Sequence, residues 1–156
     1  MKVDNGTLNF RVYEDAVVFY GMAEVALPEV SMLAEEVKGG GIAGAFSGVF
    51  IGHTEAMSTT LNFRSVTADV TRLMEPRNHQ IQLLASQQMW DSAAGEFKEV
   101  AVKHLLTGTP SKYSPGKLAP ASPTETTIEL AVTYFATFID GVKKMEIDPI
   151  NCIFFM

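Results

Sequence analysis

Residues 125–151 read ETTIELAVTYFATFIDGVKKMEIDPIN, and the reading of this stretch decides the fold class. Ile128, Leu130, Val132, Tyr134, Ala136 and Phe138 are apolar at every second position. Thr127, Glu129, Thr133 and Thr137 between them are polar, interrupted by Ala131, Phe135 and Ile139. A two-residue period rich in β-branched and aromatic types predicts a strand from Thr126 to Asp140 with one buried face. At about 3.3 Å per residue it spans roughly 45–50 Å, well beyond the usual strand. Asp140-Gly141 supplies the positive φ angles of a two-residue hairpin turn. Val142 to Asp148 returns with Lys144, Glu146 and Asp148 on one face, Met145 and Ile147 on the other. Pro149 cannot donate to a ladder, so the return ends near Asp148. A hairpin of this length requires a large sheet.

Upstream the same period recurs. Leu8, Phe10 and Val12 alternate with Asn9, Arg11 and Tyr13 up to a turn at Glu14-Asp15. Ala16 to Tyr20 is expected to pair back, Gly21 to break the run, and Val25 to Leu27 to resume it. Glu29 to Lys38 fits helix or strand equally. Lys38 to Gly48 then holds five glycines among eleven residues, which implies a mobile loop or a sharply bent ribbon. Met57, Thr59, Leu61 and Phe63 alternate with Ser58, Thr60, Asn62 and Arg64 in a further strand. Ser65 to Glu75 is predicted as the one helix, with Val66, Val70, Leu73 and Met74 as its apolar stripe and Pro76 closing it. Ile81, Leu83 and Ala85 mark the next strand, Ala94-Gly95 a turn, and Phe97 to Thr107 another strand. Thr109 to Pro123 carries four of the seven prolines and reads as the loop joining that strand to Thr126–Asp140. The residues thus predict a mainly β, antiparallel domain with one helix packed on it, occupying residues 1–156 as a single domain.

Composition narrows the function classes. Apolar content of 47% with 19% charged residues is that of a globular chain. No apolar run is long enough to span a membrane as a helix. MKVDNGTLNF lacks a signal-peptide core, so a cytosolic site of synthesis and assembly is expected. A net charge of −6 argues against a surface that grips phosphate backbones. Gly39, Gly41 and Gly44 match G-x-G-x-x-G literally, but AFSGVFIGH after them has no helical period and Glu55 comes too early to hold a ribose. His53, His79 and His104 lie in three separate segments, and Cys152 is the single cysteine, so neither a metal set nor a catalytic thiol is expected. Glu35-Glu36 and Glu125 with Glu129 read as solvated faces rather than paired acids. The apolar end Ile150 to Met156 reads as an interface or an aggregation risk. No cofactor and no enzymatic constellation is expected.

Specific residues add a resemblance. Asn9-Phe10, Gly21, Leu27-Pro28-Glu29-Val30, Lys38-Gly39-Gly40-Gly41-Ile42, Gly52-His53-Thr54-Glu55-Ala56-Met57, Tyr134-Phe135, Ile139-Asp140-Gly141 and Glu146-Ile147-Asp148-Pro149-Ile150-Asn151 occur in an order that resembles the major tail tube proteins of contractile-tailed phages and R-type tailocins. Each motif is weak alone; their order over nearly the whole chain is specific. The triple glycine is one residue richer than the family pattern, and family members continue further past the Asp-Pro-Ile-Asn signature.

The resemblance implies a β-sandwich or barrel flanked by a helix, forming hexameric rings that stack into a hollow tube. Long hairpins joined edge to edge would line the lumen, where Ser58, Thr60, Asn62, Thr127, Glu129 and Thr133 are expected to face cargo. Lys38, Gly39, Gly40, Gly41, Ile42 and Gly44 would form a ring-stacking loop. Asp69 and Arg72 would face a sheath from the helix, with Leu73 and Met74 packed inward. The implied partners are further copies of the chain, a tail sheath protein, a tape-measure protein and baseplate tube initiators, with DNA only as non-specific cargo. The implied location is the tail of a virion or tailocin assembled in the host cytoplasm. A type VI secretion-like tube and a monomeric ligand-binding β-barrel remain the alternatives.

Overall fold

In the computed structural model, which describes residues 2–14, 17–18 and 22–156, strand dominates the chain. The elements in order are β1 (Lys2–Glu14), β2 (Val17–Val18), β3 (Met22–Ala26), β4 (Met32–Val37), β5 (Phe46–Thr54), β6 (Met57–Phe63), α1 (Ala68–Arg72), β7 (His79–Asp91), β8 (Glu96–Ser114), β9 (Thr126–Ile139), β10 (Val142–Asp148) and β11 (Ile153–Phe155). Nine of the strands form one antiparallel sheet, while β4 and β5 form a separate two-stranded ribbon. The expected turn at Glu14-Asp15, part of the returning strand and the break at Gly21 lie partly outside the described residues.

β9 organises the sheet. It pairs with β8 along its whole length, with β6 over Thr126–Val132, and with β10 over Phe135–Ile139. The strand and its Asp140-Gly141 turn fall where the alternation puts them, both turn residues having positive φ (51° and 80°). The face assignment changes halfway. Thr107 is opposite Tyr134 and Gly108 opposite Val132, so Thr133 is an extra residue, a β-bulge. Before it, Ile128, Leu130 and Val132 are buried; after it, Phe135 takes the core side, opposite Leu106. The single alternation expected from Ile128 to Phe138 is therefore two half-strands of opposite phase. Ser111 is a second inserted residue, on β8. Such bulges bend and twist the strands that carry them.

The bending lets one continuous sheet cover its own core. Met57, Leu61, Phe63, Ile128, Leu130 and Val132 from the β6–β9 half belong to the same buried cluster as Val12, Ile81, Leu83, Leu106, Phe135 and Ile147 from the other half. Burying a Leu- or Ile-sized side chain contributes about 1.5–3 kcal/mol, so this cluster dominates the fold's stabilisation.

Two boundaries and one face differ from the expected ones. The helix is five residues long, not eleven: Thr67 caps it, its hydroxyl accepting from the Val70 amide at 3.3 Å. Val70 and Leu73 are buried but Val66, ahead of the cap, is 45% exposed. The proline-rich stretch is strand as far as Ser114, so only residues 115–125 form the loop before β9. Leu8, the extra residue of a bulge between Thr7 and Asn9, is 51% exposed, as the first eight residues of β1 all are exposed.

Candidate functional site

Residues directly opposite in an antiparallel ladder share a sheet face. The registers therefore build a polar surface from β3, β6, β9 and the end of β8. One row runs Glu24, Asn62, Thr127, Ser114; the next Ala26, Thr60, Glu129, Lys112; the third Ser58, Ala131, Thr109. Asn62 Nδ2 donates to Glu24 Oε1 at 2.8 Å, and Ser111 Oγ to the Glu129 carbonyl at 3.2 Å. The reverse face of these strands is the core. The fold thus brings together five of the six residues expected to line a lumen. Thr133 stands apart in its bulge, its hydroxyl donating to the Thr107 carbonyl at 3.4 Å.

Glu24 and Lys112 also belong to this face and were not read from the sequence. Lys112 was hidden by the prolines around it, whose local signal is that of a loop; Pro110 is accommodated beside the Ser111 bulge. Two strand edges flank the face without a partner among the described residues. β3 pairs only with β6, and β8 loses β7 beyond Gly108, leaving Thr109–Ser114 paired only to β9. Unpaired edges of this kind are templates for another chain's strand.

The ribbon is the second feature. The undecided segment before the glycines is strand β4, and Lys38–Ala45 turns it into β5. Val37 pairs with Phe46, and Ala34 with Val49. Leu33, Val37, Ile42, Phe46, Val49, Phe50 and Ile51 are all exposed, Phe46 at 54% and Ile51 at 80%. The loop residues Lys38, Gly39, Gly40, Gly41, Ile42 and Gly44 are exposed together at its tip. Gly41 (φ 84°) and Gly44 (φ 142°) require glycine's conformational freedom. At about 3.3 Å per residue the six residues of β4 carry the tip roughly 20 Å from its base.

On α1, Asp69 and Arg72 form a half-exposed i,i+3 pair at 3.8 Å, with Leu73 buried and Met74 packed against the core. Behind the helix lies a buried polar cluster that the sequence does not announce. His79 Nδ1 contacts Glu14 Oε1, His79 Nε2 meets the Glu75 carbonyl at 2.9 Å, and Arg77 Nη2 reaches Glu14 at 3.0 Å. It ties the end of β1 to the start of β7. Tyr134 donates to Glu146 Oε2 at 2.9 Å, and burial with that bond pushes the phenol up to about 12. Lys143, then Tyr134, hold the Glu146 carboxyl below its ordinary range. His104 Nδ1 sits 2.9 Å from Thr137 Oγ1, and burial lowers its pKa. His53 is exposed. Among the described residues, no three His, Cys, Asp or Glu side chains are grouped to hold a metal ion.

The sheet thus hides its apolar face, offers a polar one and leaves two edges without a partner among the described residues. The chain belongs to the phage tail tube protein FII family, whose model matches residues 6–156. No curated protein sequence matches it. Among solved structures it is similar to a chain of the sheath–tube complex of PVC, an extracellular contractile injection system, in its extended state. That likeness has 12% identity and a TM-score of 0.60, covering 83% of this chain and 88% of the other. It is also similar to a chain of the PVC sheath/tube terminator (12%, TM-score 0.59, 84% and 94% covered) and to one in the anti-feeding prophage baseplate (11%, 0.55, 83% and 90%). At these identities the likeness speaks for the fold.

Proposed function

We propose that the chain is the repeating subunit of a contractile tail's inner tube, with rings of six copies stacked along the axis. The observation that carries this is the four-stranded polar face with an open edge on each side. Joining the β3 edge of one copy to the Thr109–Ser114 edge of the next closes those edges and continues the sheet around a circle. Ser58, Thr60, Asn62, Thr127 and Glu129 then face the lumen, where hydroxyls, an amide and few charges let DNA or a tape-measure protein slide without binding. The ribbon with its glycine loop is the ring-stacking element, and Asp69 and Arg72 face a sheath. Neighbours from sheath–tube and baseplate assemblies support those partners, and a particle tail as the location. The part played is structural, as the family's is.

Purified protein viewed by negative-stain electron microscopy and by sizing tests this reading. Rings and hollow tubes are expected. A species that stays at 17.0 kDa at every concentration would overturn it and favour a monomeric binding barrel.

A further inference from the structure

The two open edges of the polar face each carry a single charged residue, and the signs are opposite. β3 reads MAEVA with Glu24 at its centre, and Thr109–Ser114 reads TPSKYS with Lys112 near its own. Both side chains are exposed, and both belong to the polar face one row apart. Glu24 is in the row of Ser114, Lys112 in the row of Ala26. Each edge is therefore poorly matched to itself. Pairing β3 antiparallel with β3 of a second copy sets Glu24 opposite Glu24. Pairing Thr109–Ser114 with itself brings two Lys112 side chains together near its middle. Like charges facing across a ladder are destabilising, and opposite charges stabilising.

We infer that Glu24 of one copy pairs with Lys112 of the next, and that this pair selects the head-to-tail joint over both self-pairings. The inference rests on the tube reading and names what makes its edge-to-edge contact specific. A self-paired edge is isologous and stops at a dimer, whereas a joint between two different edges repeats around a ring. Strand directions alternate through β3, β6, β9 and β8, so β3 meets the next copy's Thr109–Ser114 antiparallel. Rows joined level set Glu24 and Lys112 on the diagonal, about 7–8 Å apart and within reach of long side chains. Closing a sheet into a barrel adds a stagger, and a shift of one row sets the two directly opposite. Repulsion at the wrong edge serves specificity as much as attraction at the right one.

A carbodiimide joins a carboxylate to an amine only where the two touch, and so tests the pair in wild-type protein assembled from isotopically light and heavy chains. A light–heavy crosslink between the peptides holding Glu24 and Lys112 is expected by mass spectrometry. In parallel, Glu24→Lys and Lys112→Glu, each checked for folding by circular dichroism, should each lose rings under negative-stain electron microscopy. Mixed in equal amounts, the two proteins should regain rings of alternating copies, because every joint then sets a lysine against a glutamate. Wild-type rings whose Lys112 couples only to Glu129 of its own chain, or whose Glu24 couples elsewhere, would overturn the pair and leave the tube reading standing. So would normal rings from either single variant, or folded variants that stay without rings when mixed. If Lys112→Glu fails to fold against its own Glu129, the wild-type crosslink decides alone. Wild-type protein that never forms rings would remove the reading on which the inference rests, and the inference with it.

Discussion

Lys112 on β8 stands directly opposite Glu129 on β9, on the sheet face that also carries Thr60 and Thr127. The resemblance puts Glu129 forward as a lumen residue facing cargo; the register sets a cation opposite it in the same subunit. The face is therefore closer to neutral than acidic at this level, with Glu24 as its other charge. Opposite charges facing across a ladder contribute roughly 0.2–1 kcal/mol, and like charges there are destabilising. Glu129→Lys is expected to lower the melting temperature by a few degrees. The exchange Glu129→Lys with Lys112→Glu should recover most of that loss. Thermal melts of the two singles and the double make the cycle; equal melting temperatures throughout would show the two charges do not interact.

Leu73 closes the helix into the core at 0% exposure. Leu73→Asp places a carboxylate there at a cost of several kcal/mol, a large part of a domain's stability. Loss of the folded circular-dichroism signal is expected, against little change for Val66→Asp, whose residue lies outside the helix. A soluble, assembly-competent Leu73→Asp protein would refute the packing described.

Gly116 adopts φ 86°, and an added Cβ would stand 1.9 Å from the Thr124 carbonyl oxygen. That carbonyl accepts from the Lys117 amide at 2.9 Å, and the Thr124 amide donates to the Arg64 carbonyl at 2.8 Å, so the loop before β9 is tied to the end of β6. Gly116→Ala should cost about 2 kcal/mol or more through strain and overpacking, seen as a melting temperature lower by roughly 4–8 °C. Gly40→Ala, with nothing within 4 Å, should leave subunit stability unchanged. Similar melting temperatures for both variants would contradict the loop geometry.

His104 supplies a pH dependence. Burial lowers its pKa in the folded chain, so the unfolded chain binds the proton more readily. Its contribution is present in full above the unfolded value of about 6.5 and is lost as pH falls through that value toward the folded one. His104→Gln retains a partner for Thr137 and removes the titration. Its melting temperature should therefore fall less than the wild type's between pH 7 and pH 5. Parallel profiles would show that other groups govern this window.

How legible these features were depends on the range of the interactions behind them. The β9–β10 hairpin was readable because alternation, Asp140-Gly141 and Pro149 are local signals that agree. The bulge at Thr133 was not, since one inserted residue changes no local propensity yet reverses the faces of everything after it. Val66 fits a helical stripe on paper, but Thr67 accepts from the Val70 amide and starts the helix later. The strand through Pro110 and Lys112 is imposed by pairing with β9, against local composition. The Glu14–His79–Arg77 cluster joins residues more than sixty positions apart, a relation that only the folded sheet creates. Five lumen candidates share a face because β6 and the first half of β9, ahead of the Thr133 bulge, pair in a register that aligns their polar positions.

The central claim is that the β3–β6–β9–β8 face lines the bore of a tube. Cryo-electron microscopy of tubes grown from the purified chain tests it most directly. Six-fold rings are expected, with Ser58, Thr60, Asn62, Thr127 and Glu129 on the lumen wall and β3 of each copy paired to Thr109–Ser114 of its neighbour. A reconstruction with these residues on the outer surface, or with both edges unpaired, would contradict it.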